Sequence, residues 1–333
     1  MKRMGIFRTM AFAMVVFGVL GGLPARLHAS VSARPSANED TLFGGTRTLI
    51  SFDGHTGFLI QPKSPAAGRP WIWYAPTFIG ANPNASCAWY MERLLQHGFC
   101  VAGVDVGESY GSPAGRKIYS AFYDTLMARH HLNPKACLMP QSRGGLMLYN
   151  WAADGGNAAK VARIAGIYPV GDLRSYPKLA VAAPAYGMTE AQLQADLAAN
   201  NPIDRLAPFR KQGIEILHLH GDADVVVPLT ENSQVIHDRY VALGGKMSLI
   251  VVPGKGHAEV PEFFQNQAYL DFLLAELQVT AVLSPASRSG SAPWAVSAAR
   301  SHADARIGPA ATLSAFGFPL PQGCDALGRI PTP

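Results

Sequence analysis

The sequence predicts an α/β protein with a mostly parallel central sheet, helices on both faces and a small cap insertion. Three observations predict it. Runs such as WIWYAP (71–76) and FCVAGVDV (99–106) have the unbroken apolar character of strands buried on both sheet faces. They alternate along the chain with stretches of helical period, the pattern of βαβ units. The alternation lapses once, between Tyr168 and Leu206, over a stretch too long for a bare connector, and there the cap is expected (about 168–206).

The elements follow in order. Thr48 to Phe52 and Gly57 to Ile60 read as short strands around the turn signal Asp53-Gly54. After strand 71–76, residues 86–97 form a helix with Trp89, Leu94 and Leu95 on one side. Strand 99–106 is followed by a helix from Tyr119 to His130, then strand ACLMP (136–140) and a helix from Gly144 to Ala153. VARIAGIYPV (161–170) is the next strand. The cap carries one helix, Thr189 to Ala199. Strand IEILHLHG (214–221), helix Glu231 to Leu243, strand KMSLIVVPG (246–254) and a closing helix from Pro261 to Leu277 complete the pattern.

With 333 residues, 48% apolar and only 15% charged, the chain has ample material for a core and is not a charged disordered polymer. Its formal charge of +5 is concentrated at one end: Lys2, Arg3, Arg8 and Arg26 lie in residues 1–29, which contain no acid, and the rest has 24 basic residues against 23 acidic. That balance argues against nucleic-acid binding. Residues 1–29 read as a signal peptide: a basic start, an apolar stretch from Thr9 to Leu23, and Leu27-His28-Ala29 at the cleavage site. The expectation is an exported protein, periplasmic or extracellular, with no membrane span after cleavage. Residues 30–46 read as a flexible leader and 47–280 as the catalytic domain. In residues 281–333 Ala, Ser, Pro and Gly dominate, 30 of the last 50, which reads as a disordered tail. Four cysteines (Cys87, Cys100, Cys137, Cys324) permit disulfides in that compartment, but sequence does not choose a pairing, and Cys100 and Cys137 fall in strands where buried thiols are as expected as a bridge.

Three fragments carry chemistry, each just past a strand. In PQSRGG, Ser142 stands on the turn between strand 136–140 and the next helix, where a sharp bend projects a hydroxyl above the sheet edge and demands small neighbours; Gly144 and Gly145 supply them. Pro140 stands where the usual G-x-S-x-G pattern has its first glycine. The helix start aims backbone N–H groups at the same place, and that of Arg143 is the expected oxyanion donor. In HGDADVVVP, Asp224 is placed to orient a histidine, with Asp222 as a rival. In GKGH, His257 sits on a glycine-flanked loop, able to shuttle protons. The order Ser142, Asp224, His257 is that of the α/β-hydrolase nucleophile, acid and base. The pair His218-x-His220 puts two imidazoles on one strand face, but no third ligand is spaced for zinc, and no metal site is expected.

From about 47 to 277 the chain resembles the α/β-hydrolases, and more narrowly the secreted bacterial prolyl-oligopeptidase-like members, on the stretches PWIWYAPTF, GVDVGESYGSPAG, QSRGGLMLYNWA, GIYPV, NPIDRLAP, HGDADVVVPLTEN and GKGH. The resemblance implies a Ser142–His257–Asp224 triad without metal or organic cofactor, and it does not specify a substrate; the reading of the whole is a secreted serine hydrolase acting on a carboxylic ester, of a small molecule, a glycan or a polymer. The short leader leaves no room for the propeller of true oligopeptidases. The resemblance places a second oxyanion donor on the loop after strand 71–76, the backbone N–H of Thr77 or Phe78, with the Tyr74 hydroxyl as a further candidate. Glu108 and Tyr110, in GESYGSP, are expected to border the cleft and bind substrate. A peptidase or aminopeptidase acting on short peptides is the alternative, and a non-catalytic binding protein of the same fold a second.

Overall fold

The computed structural model describes residues 38–283. The expected signal peptide, the first part of the leader, Cys324 and nearly all of the expected tail lie outside the described residues. Nine strands form one sheet in the order β1-β2-β3-β5-β4-β6-β7-β8-β9. They are β1 (Glu39–Leu42), β2 (Gly45–Phe52), β3 (His55–Gln61), β4 (Trp71–Ala75), β5 (Cys100–Val104), β6 (Ala136–Pro140), β7 (Val161–Ile167), β8 (Glu215–Gly221) and β9 (Met247–Val252). The first three run antiparallel to their neighbours, and β4 to β9 are all parallel.

The helices are α1 (Ala88–Gln96), α2 (Pro113–His130), α3 (Gly144–Ala153), the short α4 (Leu179–Ala182), α5 (Glu190–Ala195), α6 (Leu197–Asn200) and α7 (Ala207–Gln212), then α8 (Ser233–Ala242), α9 (Pro261–Phe264) and α10 (Gln267–Leu283). The strand period of two divides the core between the two sheet faces. Trp71, Trp73 and Ala75 of β4 pack with α2, α3 and α8, through Phe122, Trp151 and Tyr240 among others. Ile72 and Tyr74 pack with α1 and α10, through Tyr90, Leu94 and Tyr269. Parallel strands covered on both sides put every strand's carboxyl end at one rim, where ligands of such sheets bind.

Several expectations need correction. The leader 30–46 is not uniformly loose, because residues 39–42 and 45–52 pair as a hairpin in the register Glu39↔Thr48 to Leu42↔Gly45. Its two-residue loop, Phe43-Gly44, has positive φ at both positions (53° and 82°), the geometry that matches strand twist, and Arg47 pairs with Asp40 across the strands. The sequence reading missed this hairpin because its first strand is short and polar. Helix α2 begins at Pro113, six residues before the expected Tyr119; the Ser112 hydroxyl accepts the Gly115 N–H and proline occupies the first turn. The closing helix is two, α9 and α10, and the second passes residue 280. In the insertion the expected helix 189–199 breaks at Asp196. Thr189 and Gln192 form a capping box on α5, and α6 follows the break. Leu173, Leu179, Tyr186, Leu193 and Leu197 of this segment bury themselves with Leu146 and Val227, so it carries a small core of its own.

Candidate active site

The chain reverses sharply at the end of β6. The Gln141 N–H donates to the Ala75 carbonyl and the Ser142 N–H to that of Ile167, so the turn is held by both neighbouring strands. Ser142 itself has φ of 49°, a left-handed conformation that non-glycine residues take at some cost, and α3 starts two residues later. Gly144 makes the turn possible: a Cβ there would lie 2.1 Å from the Ala75 oxygen. Pro140, in place of the usual glycine, ends β6 opposite Ala75 without preventing the turn.

Two further strand ends meet this one. The Ser142 hydroxyl donates to His257 Nε2 over 2.9 Å, and His257 Nδ1–H donates to Asp224 Oδ2 over 2.8 Å. The other carboxylate oxygen of Asp224 accepts the N–H groups of Val226 and Val227 at 3.0 and 2.8 Å. Burial opposes ionisation of Asp224, but the bonds from His220, His257 and Val227 outweigh it and hold the carboxyl below its ordinary range. The Asp224 side chain is fully buried, whereas His257 is 19% exposed and so reachable by solvent and substrate. Asp222 has a different task. It accepts the Gly254 N–H and ties the loop after β9 to that after β8. The Ala223 N–H bonds the Lys255 carbonyl, and a Cβ on Gly221 would lie 2.0 Å from that oxygen, so the two loops approach only because residue 221 is glycine.

The remaining candidates divide. The Arg143 N–H, at the start of α3, has no acceptor among the described residues, as is usual for the first N–H groups of a helix. The Phe78 N–H is committed to the Asn82 carbonyl at 3.2 Å. Thr77 is buried, bridges to Asp105 at the sheet margin and turns its hydroxyl to the Tyr74 carbonyl. Tyr74 does not offer its hydroxyl to the cleft. Its side chain alternates to the α1 face, is buried, and donates to Gln141 Oε1 at 2.7 Å. Glu108 forms a 2.9 Å ion pair with the Arg143 guanidinium, which also lies 5.0 Å above the Phe78 ring. Tyr110 stands in the same group, where burial, Glu108 and Tyr176 all push its hydroxyl pKa up. Both residues therefore border the Ser142 turn.

Sequence reasoning missed the layer behind the histidine. Tyr168 packs its ring against that of His257, and Gln141 Nε2 reaches the Tyr168 hydroxyl at 3.4 Å and Glu259 at 3.5 Å. Glu259 also accepts from Asn84. No spacing rule singles out such groups; the one available signal is that Tyr168 is the first residue after the apolar run of β7, at a strand's carboxyl end. Among the described residues no three metal-ligating side chains gather in one place.

Comparison with known proteins agrees with this architecture. No protein-family model and no curated protein sequence matches the chain. Solved structures do. An S-formylglutathione hydrolase from Agrobacterium tumefaciens superposes with a TM-score of 0.55 at 14% identity, over 74% of this chain and 98% of that one. A truncated carbohydrate esterase from gut microbiota gives 0.56 at 19% identity, over 74% and 99%. Dipeptidyl peptidase 4 from Porphyromonas gingivalis gives 0.55 at 16% identity over 69% of this chain, which spans about a third (35%) of that longer protein. The chain has the α/β-hydrolase fold.

Proposed function

We propose that the protein is an exported serine hydrolase that cleaves carboxylic esters through an acyl-enzyme. The observation that carries this reading is the unbroken line from the Ser142 hydroxyl through both nitrogens of His257 to Asp224. His257 takes the Ser142 proton as the oxygen attacks the ester carbonyl. The Arg143 N–H receives the charge that develops on the carbonyl oxygen. His257 then protonates the departing alcohol, and water, deprotonated by the same imidazole, releases the acid. Asp224 keeps Nδ1 protonated, so that Nε2 is free to accept. The insertion 168–206 shapes the substrate side of the cleft, and residues 1–29 direct export.

Support for ester rather than amide cleavage comes from length: the esterases of like fold are matched over 98% and 99% of their own chains, the dipeptidyl peptidase over 35% of its own. The experiment is Ser142→Ala in the mature protein. It is expected to abolish p-nitrophenyl ester hydrolysis by several orders of magnitude and to end fluorophosphonate labelling while the circular dichroism spectrum is unchanged. Full activity in that variant would refute the reading. Export is tested by the N-terminus of the protein recovered outside the cytoplasm, expected at Ser30.

A second reading, hydrolysis of short peptides, is favoured by one observation: Glu108, 45% exposed, is anchored by Arg143 beside the nucleophile and is available to a substrate amine. Cleavage of aminoacyl anilides that is lost in Glu108→Gln would establish it over the first.

A further inference from the structure

Behind Asp224 lies a run of buried polar groups that the hydrolytic chemistry does not use. His220 Nε2 is 2.8 Å from the Val227 carbonyl and 3.5 Å from Asp224 Oδ2. Its Nδ1 is 2.8 Å from the Ser233 hydroxyl, and the same hydroxyl is 2.9 Å from His218 Nδ1. His218 Nε2 is 2.6 Å from the Tyr149 hydroxyl. All four side chains are inaccessible to solvent.

Donor and acceptor counting gives this run a direction. The Val227 carbonyl can only accept, so His220 Nε2 carries a proton. In a neutral His220 the Nδ1 must then accept, and its only partner is the Ser233 O–H. That hydroxyl has one proton to give, so His218 Nδ1 must donate to it, and His218 Nε2 must accept from Tyr149. Every donor is satisfied. Burial independently favours a neutral His218, holding its pKa well below the ordinary histidine range. A charged His220 would donate from both ring nitrogens and leave one buried O–H of the run, that of Ser233 or that of Tyr149, without an acceptor among the described residues.

We infer that Tyr149, His218, Ser233 and His220 form a one-way hydrogen-bond chain whose last N–H is held by the Val227 carbonyl at 2.8 Å and also faces Asp224 Oδ2 at 3.5 Å, and that His220 and Ser233 are positioning residues for the Asp224–His257 pair. Each link polarises the next, so the Nε2–H that faces Asp224 is a stronger donor than an isolated imidazole would offer. The chain joins β8, α8 and α3, the helix that begins at the nucleophile turn. It therefore sets the acid loop relative to the serine. It also withdraws part of the Asp224 charge from His257.

This inference rests on the proposed hydrolase reading for its kinetic consequence. The groups facing His257 are Asp224, Ser142 and Tyr168, with Glu259 behind Gln141. Those facing the chain are Asp224 at one end and Tyr240 and His237 at the other. With the His220 donor removed, Asp224 stabilises the His257 imidazolium more strongly, so the acid limb of kcat/KM moves to higher pH.

The test compares His220→Leu, His220→Gln and Tyr149→Phe with wild type on a p-nitrophenyl ester, with Ser142→Ala as reference. His220→Leu is expected to lower kcat roughly tenfold with KM nearly constant, and to raise the acid limb by about half a pH unit or more. His220→Gln, which keeps an N–H near the Nε2 position, recovers most of both effects. Tyr149→Phe, which removes one hydroxyl remote from the substrate, raises the acid limb by a smaller amount. The downfield proton resonance of His257 Nδ1–H is followed in the same variants, each also made in a Ser142→Ala background, and is expected to shift in the same order. A live Ser142→Ala enzyme overturns the hydrolase reading, and the resonance still decides the chain. An acid limb and resonance unmoved in Tyr149→Phe, or a His220→Gln as impaired as the leucine variant, overturns the chain itself. If His220→Leu does not fold, Tyr149→Phe decides.

Discussion

The ring of Tyr168 lies 4.3 Å from that of His257, centroid to centroid, at an interplanar angle of 52°. Tyr168 is itself fixed, with φ of 35°, its N–H on the Leu219 carbonyl and Phe263 edge-on at 5.1 Å. The imidazole is thus held between Asp224 on one edge and an immobile aromatic face.

Removal of that face leaves His257 free to rotate about the Asp224 bond. Tyr168→Leu is expected to reduce kcat for a p-nitrophenyl ester about tenfold with little change in KM. Tyr168→Phe, which keeps the ring and loses only a long hydrogen bond, is expected to stay within a few-fold of wild type. Steady-state kinetics on both variants checks this.

The turn at Ser142 tolerates no side chain at residue 144. A Cβ would meet the Ala75 oxygen at 2.1 Å and the Pro76 nitrogen at 2.7 Å, and both belong to backbone that cannot rotate away. Gly144→Ala is expected to destabilise the fold by about 1–3 kcal/mol or more. That corresponds to a fall in melting temperature of at least a few degrees for a domain of this size, read by calorimetry.

Asp224 makes stability depend on pH. Its carboxyl titrates below the ordinary range in the folded protein, because the hydrogen bonds from His220, His257 and Val227 outweigh its burial. A group depressed in this way contributes stability above its unfolded pKa, about 3.9, and loses it as pH falls through the folded value. Wild type is therefore expected to lose melting temperature more steeply below about pH 4 than Asp224→Asn, which has no such proton to gain. Parallel melting curves from pH 5 to pH 2 would count against the assigned bonds.

The thiols of Cys87 and Cys100 are sealed in the core. Burial pushes each up to about 11. Neither is expected to react with iodoacetamide at pH 8 in the native protein, and both are expected to react once it is unfolded. Mass spectrometry of the alkylated peptides reads the difference.

The strands from β4 to β9 and helices α1, α3 and α8 were legible in the sequence, because burial on both faces and helical period leave strong local patterns. The β1–β2 hairpin was not, since a short polar strand at a sheet edge is stabilised by its partner rather than by its own composition. The start of α2 is marked by Ser112-Pro113, a capping signal, and not by hydrophobic period, because its first turn carries few apolar residues. Ser142, Asp224 and His257 stood out because each follows a strand on a turn with small neighbours, a local feature.

By itself, then, the sequence determined the buried strands β4 to β9, helices α1, α3 and α8, and which three side chains stand at strand ends, because backbone preference and burial pattern act over a few residues. Only the tertiary structure decided that Asp224 rather than Asp222 faces the imidazole, that Phe78 and Tyr74 turn their donors elsewhere, and that Tyr168 and the His220 chain support the pair. Those outcomes depend on distances between residues far apart along the chain, such as Ser142 and His257, and hydrogen-bond partners at that range are set by the packing of the sheet and not by spacing in the sequence.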